Sequence, residues 1–255
     1  MIRPGLCSVT LRALGPDEVI RLAVAAELEA IEWGADVHLP PGDLASATAL
    51  GRRCRDAGID CASYGSYLFA GRLAPGGVVA VLDSAVALGA PNVRVWTDWV
   101  GPEPEAAVRG RIVDELREIT SEAVQHRLTV SLEFHPGTLT ETAGSTLALL
   151  DEVGAPDLFT YWQPPTGLSV DGLLASWQAV RHRVSHLHVF RWHSHEERLP
   201  LAEGEDLWPT LLDDVSPTAW PFDRVAFLEF VRNDDPAQVA ADARVLRGWL
   251  RRTSR

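Results

Sequence analysis

The chain has 255 residues, of which 46% are hydrophobic and 23% charged, and its formal net charge is −12. Such an acidic protein is poorly suited to hold a nucleic-acid backbone by bulk electrostatics. No apolar run approaches the ~18 residues of a membrane span, and the amino terminus has no apolar signal core. We therefore expect a cytoplasmic protein that binds neither nucleic acid nor a membrane.

Strand-like and helix-like segments alternate along the whole chain. Strands are predicted at Leu6–Thr10, Ala30–Gly34, Ile59–Tyr64, Asn92–Thr97, Thr129–His135, Leu158–Gln163, Val184–Phe190 and Arg224–Phe230. Helices are predicted at Pro16–Glu29, Asp43–Ala57, Gly77–Leu88, Glu103–His126, Thr142–Val153, Val170–Arg181, Glu205–Asp213 and Pro236–Arg251. Repeating units of roughly 25–35 residues fit βαβ crossovers and a parallel sheet.

Eight such units favour an α/β fold, a single (β/α)₈ TIM barrel domain spanning residues 1–255. The alternative is an open doubly wound sheet. That fold would need a glycine-rich turn after the first strand, and the sequence has none there. The three cysteines, Cys7, Cys54 and Cys61, match no zinc or redox spacing, so we interpret them as small buried side chains.

Four of the predicted strands carry a polar side chain within an apolar run near the strand end. The segments are Ser-Leu-Glu-Phe-His at 131–135, Tyr-Trp-Gln-Pro at 161–164, His-Leu-His-Val at 186–189 and Phe-Leu-Glu-Phe at 227–230. Because strand side chains alternate between faces, Glu133, His188 and Glu229 each lie opposite a set suited to packing against helices. They also lie towards the carboxyl ends of their strands, where barrel active sites are built.

Together with the strand order, these motifs resemble the sugar phosphate isomerase/epimerase superfamily, the xylose isomerase-like barrels. In that superfamily a Glu, an Asp, a His and a Glu on strands five to eight ligate a divalent metal. Carried over to this chain, the metal ligands are Glu133, Gln163, His188 and Glu229. The resemblance implies a Mn²⁺, Mg²⁺ or Zn²⁺ cofactor. It also implies a small sugar or polyol-derived substrate and is compatible with a homo-oligomer.

This chain departs from the family pattern on the sixth strand. Gln163 stands in place of the usual Asp, and Thr166 stands where the family has a substrate-binding His. An amide oxygen can still ligate a metal, but the site then has two carboxylates instead of three. We therefore expect weaker metal binding than in the family.

The resemblance implies proton transfer through an enediolate, with Glu133 and Glu229 as the catalytic pair. Polar and aromatic side chains on the predicted loops complete the expected site. The predicted substrate-binding residues are His135, Trp33, His38, Tyr64, Trp96, Arg191 and His193, and His195 follows on the same loop as the last two.

The leading functional hypothesis is a metal-dependent sugar isomerase or epimerase. One alternative is a dehydratase on the same scaffold, since it begins with the same proton abstraction. Another is a non-catalytic sugar-binding barrel, which the change at Gln163 motivates. A DNA-repair nuclease like endonuclease IV is disfavoured by the acidic charge and by the smaller set of His and Asp ligands.

Overall fold

The computed structural model describes residues 1–194, 197–214 and 220–253. Its strands alternate with helices in chain order. The strands are β1 Ile2–Cys7, β2 Ala30–Gly34, β3 Asp60–Ala70, β4 Asn92–Thr97, β5 Thr129–Leu132, β6 Leu158–Trp162, β7 Val184–Val189, β8 Arg191–Trp192, β9 Arg198–Leu199 and β10 Arg224–Leu228. The helices are α1 Pro16–Ala25, α2 Leu44–Asp56, α3 Gly77–Leu88, α4 Ala106–Gln125, α5 Ala143–Val153, α6 Val170–Val180, α7 Trp208–Asp213 and α8 Pro236–Thr253.

Eight of these strands form a closed parallel barrel in the order β1-β10-β7-β6-β5-β4-β3-β2. Closure is made by β1, which pairs with β2 on one side and with β10 on the other. The remaining two strands, β8 and β9, form a short antiparallel hairpin after β7. The predicted (β/α)₈ barrel is confirmed, and the alternative of an open doubly wound sheet is wrong because an open sheet has two unpaired edges.

Local capping explains where several helices begin and end. The side chain of Thr142 accepts a hydrogen bond from the backbone N–H of Ser145 at 3.1 Å, which satisfies one of the free donors at the start of α5. The carboxyl ends of helices α3 and α5 are capped by Gly89 and Gly154, whose φ angles are 84° and 71°. Glycine adopts this left-handed backbone at little cost, so both predicted helix ends are confirmed.

The buried side chains form two layers. The larger cluster lies between the strands and the helices, and the smaller one lies inside the barrel around Cys7, Tyr161 and Phe227. The interior is narrow at Gly5, where a Cβ atom would lie 2.4 Å from Val225 Cγ1. Only glycine fits there, and the tight packing below leaves the carboxyl end of the barrel for the site.

Most predicted boundaries agree with the structure to within a few residues, but the third strand continues beyond its predicted end at Tyr64 to Ala70, and the first strand was placed wrongly. It covers Ile2–Cys7, and residues 8–11 form a 3₁₀ turn. Pro4 and Gly5 disfavour a strand locally, yet continuous pairing from Ile2 with Arg224 to Leu6 with Leu228 overrides that preference. On the fifth strand, pairing ends at Leu132, so Glu133 and His135 lie on the loop that follows it.

Candidate functional site

A completely buried carboxylate, Glu32 in the middle of β2, is the centre of a polar network inside the barrel. It accepts hydrogen bonds from Arg94 Nε at 2.9 Å and from the Tyr161 hydroxyl at 2.6 Å. The Cys7 thiol and His188 Nε2 each lie 3.3 Å from its Oε1 atom. Burial alone would raise the pKa of Glu32, but Arg94, His188 and Tyr161 hold it well below its usual range. These three contacts favour the carboxylate form of Glu32.

The imidazole of His188 connects Glu32 to the carboxyl end of the barrel. Its Nδ1 atom lies 2.9 Å from Gln163 Oε1 and 3.3 Å from Glu229 Oε2. Each ring nitrogen thus faces oxygen atoms that accept hydrogen bonds, whereas a neutral imidazole donates from only one of its two nitrogens. A neutral ring that donates to Glu32 from Nε2 leaves the lone pair of Nδ1 facing two oxygens, an arrangement that a positive centre among these atoms would stabilise.

The two predicted catalytic carboxylates have different surroundings. Glu229 follows β10 and is 6% exposed; burial raises its pKa, and the negative charge of Glu32 acts in the same direction. Glu133 follows β5, is 5% exposed, and forms an ion pair with Arg94 Nη1. Glu229 therefore favours its protonated form more than an ordinary carboxyl does, whereas Glu133 is held as a carboxylate by a guanidinium.

Glu133, Gln163 and Glu229 all line one cavity of about 320 Å³ at the carboxyl end of the barrel. With His188 they offer carboxylate, amide and imidazole donors, which is a set that suits a divalent cation. A deeper set of donors overlaps with it: the ligand atoms of Cys7, His188 and Glu229 all lie within 4.8 Å of one another. Burial raises the pKa of the Cys7 thiol well above its usual value, and that thiol faces Glu32, so the thiolate form that binds metals is disfavoured. The donors that fit a divalent metal are therefore Glu133, Gln163, His188 and Glu229.

The family model for the xylose isomerase-like TIM barrel matches residues 20–252 of this chain. The chain belongs to the xylose isomerase-like TIM barrel family. A search of curated proteins found no match.

Solved structures with the same fold include both epimerases and a dehydratase. The probable 3-DHS dehydratase AsbF from Bacillus anthracis has a TM-score of 0.81 at 20% identity, covering 96% of this chain and 98% of its own. L-ribulose 3-epimerase has a TM-score of 0.73 at 16% identity, covering 100% and 96%. A barrel from Mycobacterium smegmatis in complex with magnesium has a TM-score of 0.73 at 12% identity, covering 98% and 97%. At these identities the likeness concerns the fold.

The cavity of this xylose isomerase-like barrel has a largely apolar wall. Three prolines and four aromatic side chains line it, namely Pro136, Pro164, Pro165, Phe134, Phe190, Trp192 and Phe230. Of the predicted substrate-binding residues, His135 lines the same cavity, and its ring lies 4.6 Å from that of Trp96. Trp99, half exposed, packs against both rings, with centroid distances of 5.2 Å to His135 and 5.3 Å to Trp96. These rings form one continuous aromatic group.

Arg191 and His193 lie apart from the carboxylates. They line a neighbouring cavity of about 330 Å³, which shares Phe190 and Trp192 with the first. The Arg191 guanidinium is 3.0 Å from Asp206, so its charge is partly balanced. His195 lies outside the residues that the structure describes.

Three other predicted substrate-binding residues, Trp33, Tyr64 and His38, lie away from these two cavities. Trp33 and Tyr64 are completely buried in the core between strands and helices. The Tyr64 hydroxyl donates to the backbone carbonyl of Leu39 at 2.7 Å, and His38 Nε2 lies 3.2 Å from that of Leu14. Trp33 directly follows Glu32, so alternation along β2 points it outward.

Sequence reasoning missed Glu32, Arg94 and Tyr161. Each carries the signal that identified Glu133, a polar group within a buried apolar strand. Glu32 in Ala-Ile-Glu-Trp-Gly and Arg94 in Asn-Val-Arg-Val-Trp-Thr are opposite charges on strands of the same barrel. A buried charge requires a partner, so the two could have been paired from the sequence.

Proposed function

We propose that this chain is an isomerase or epimerase of a sugar-like hydroxyketone that works by proton transfer next to a carbonyl. One observation carries the proposal: Glu133 and Glu229 open onto the same cavity, together with Gln163, while His188 contacts both Gln163 and Glu229. Two carboxylates at one carbon can remove a proton and return it.

We assign proton removal to Glu229. Its burial raises its pKa, which makes it a stronger base than a solvated Glu. Glu133 is assigned the return of the proton, and His188, fixed by Glu32, positions the carboxylate of Glu229. A divalent Mn²⁺, Mg²⁺ or Zn²⁺ held by Glu133, Gln163, His188 and Glu229 would polarise the carbonyl and stabilise negative charge on its oxygen.

The walls of the cavity support a small polyol-like substrate. Aromatic faces at His135 and Trp192, which line the cavity, are suited to the C–H groups of a sugar, and carboxylate and amide oxygens accept hydrogen bonds from its hydroxyls. Trp96 is buried and packs against His135. Arg191 and His193, in the neighbouring cavity, would contact the far end of a longer substrate.

A dehydratase is the second candidate. A dehydratase also begins by abstracting a proton next to a carbonyl. The probable 3-DHS dehydratase AsbF has the same fold as this chain, with a TM-score of 0.81. In a dehydratase, the carboxyl group that returns the proton would donate it to a leaving hydroxyl group instead of to the carbon.

The proposal is tested by metal content and by exchange of a substrate proton with solvent. Elemental analysis of protein purified without chelator, then Mn²⁺ titration of stripped protein, should show near-stoichiometric metal that is lost in Glu133→Ala and His188→Ala. The matched control is Glu118→Ala, an exposed residue on α4. Incubation with ketoses in D₂O should place deuterium on the carbon next to the carbonyl, and product analysis then separates an epimer from a dehydrated product.

Absence of both metal binding and deuterium exchange would contradict the proposal. It would favour the alternative of a sugar-binding barrel without the chemistry of the family.

A further inference from the structure

The guanidinium of Arg94 lies between two carboxylates with different positions in the site. Its Nε atom is 2.9 Å from Glu32 Oε1, and its Nη1 atom is paired with Glu133 Oε2. Arg94 is 2% exposed, Glu32 is completely buried and Glu133 is 5% exposed. Since water screens little at this depth, the guanidinium is shared by one carboxylate below the cavity and one that lines it.

The backbone reserves space for this arrangement. A Cβ atom on Gly65 in β3 would lie 2.7 Å from Arg94 Nη2 and 3.0 Å from Glu32 Oε1. Any side chain there would push against both members of the buried pair. The pair therefore depends on the absence of a side chain at this position in the neighbouring strand.

The ion pair with Arg94 means that a bound cation would have to compete with the guanidinium for the carboxylate of Glu133. The donor atoms of Cys7, His188 and Glu229 lie within 4.8 Å of one another, but Glu133 is not part of that group. Its carboxylate instead faces a fixed positive charge. A cation bound at Glu133, Gln163, His188 and Glu229 would have to share Glu133 with the guanidinium. The cation and the guanidinium are both positively charged, so they would repel each other.

We propose that Arg94 sets the affinity of this site for divalent cations, because it competes with the cation for the carboxylate of Glu133. The inference rests on the proposed ligand set. Arg94, a positively charged residue on β4, then determines how strongly these ligands bind a divalent cation.

Two substitutions in the buried pair should act in opposite directions. Glu32→Gln removes one of the two carboxylates that share the guanidinium and also the carboxylate behind His188, so cation binding weakens for both reasons. The double substitution Glu32→Gln with Arg94→Gln removes one charge of each sign, so the net charge of the barrel is unchanged. It frees Glu133, so cation binding should be about ten-fold or more tighter than in Glu32→Gln, which lacks the same carboxylate behind His188.

The measurement is Mn²⁺ titration of metal-free protein by calorimetry, with free Mn²⁺ followed by electron paramagnetic resonance. The matched control applies the same two substitutions to a surface ion pair, Arg109→Gln with Glu152→Gln, whose Nε to Oε2 distance is 2.6 Å. This control should leave the affinity as in the wild type. In a Glu133→Gln background, the gain from the double substitution should disappear, because the carboxylate that Arg94 shares with the cation is gone.

A second variant, Arg94→Lys, decides the question if the double variant does not fold. Lysine keeps a positive charge beside Glu32, but its single ammonium cannot span two carboxylates as a guanidinium does. Tighter Mn²⁺ binding in a folded Arg94→Lys protein supports the inference. Unchanged or weaker binding in folded Arg94→Lys, or no gain of the folded double variant over Glu32→Gln, overturns it, as would a gain that persists without Glu133.

The outcome is separable from that of the proposed function. The titration reads cation affinity, whereas the reaction is read by deuterium exchange. If the variants bind Mn²⁺ more tightly as expected but no substrate proton exchanges, the role of Arg94 is supported and the proposed reaction is contradicted.

Discussion

The Nε2 atom of His188 lies 3.3 Å from the Oε1 atom of Glu32, and both side chains are completely buried. The contact orients the imidazole and turns Nδ1 towards Gln163 and Glu229. A carboxylate behind a histidine in this way orients the ring and strengthens its other nitrogen as a ligand.

Glu229→Gln should abolish most turnover while leaving the fold intact. The substitution removes a base without changing the volume of the side chain, so we expect a loss of about 10²–10⁴-fold in kcat. The check is kcat on the substrate found by the deuterium screen, beside circular dichroism and thermal unfolding. Glu118→Gln, on the exposed face of α4, is the matched control. Wild-type turnover in the Glu229 variant would contradict the two-carboxylate mechanism.

Gln163→Asp should tighten metal binding. It restores a third charged ligand beside His188 Nδ1, and a further unit of negative charge at contact distance should increase Mn²⁺ affinity by roughly ten-fold or more. Calorimetric titration of stripped protein measures this. Gln178→Asp on α6 makes the same change at an exposed position and should have no such effect. An unaltered affinity in the Gln163 variant would place this side chain outside the ligand set.

Tyr161→Phe should destabilise the protein without altering its shape. The hydroxyl donates to Glu32 Oε2 at 2.6 Å in a completely buried position. Loss of a hydrogen bond to a charged group should reduce the free energy of unfolding by about 1.5–3 kcal/mol. Urea unfolding measures it, and Tyr67→Phe serves as the control because Tyr67 is partly exposed. Equal stability of the two variants would mean that water replaces the lost donor at Glu32.

Acid should destabilise the fold in part through His38. Burial lowers the pKa of His38 below its ordinary value of 6.5, so the unfolded chain binds a proton more readily than the folded one. The contribution is complete above pH about 6.5 and is lost as the pH falls through the folded pKa. His38→Gln, which keeps a donor for the Leu14 carbonyl, should flatten the decline in unfolding free energy over this range. His182→Gln, at an exposed position, should leave the slope unchanged.

The sequence predicted the barrel well because its information is periodic. Alternating strands and helices of regular length, with glycines at helix ends, place α3 and β4 at their predicted bounds. The first strand could not be located from local preference, since Pro4 and Gly5 are acceptable only because β2 and β10 pair on both sides. Pairing between strands that are distant in the sequence cannot be predicted from a short segment of the chain.

For the candidate site, the sequence pattern predicted residues at the carboxyl end of the barrel but not the buried network of Glu32, Arg94 and Tyr161 below them. Alternation along a strand indicates that Glu133 and Glu229 share the interior, and the cavity contains both. The prediction did not use the same rule at β2, where it would have turned Trp33 outward and Glu32 inward. The sharing of Arg94 between Glu32 and Glu133 depends on distances across the barrel, which no spacing in the sequence reports.

The network around Glu32 also bears on how the chain folds. Glu32 and Arg94 come from the first four strands of the barrel, whereas Tyr161 and His188 come from the later strands. A half-barrel of either kind would leave polar groups of this network without their partners in an apolar interior, which is strongly unfavourable. The two halves therefore stabilise each other, and the network favours a single cooperative transition over independently folded halves.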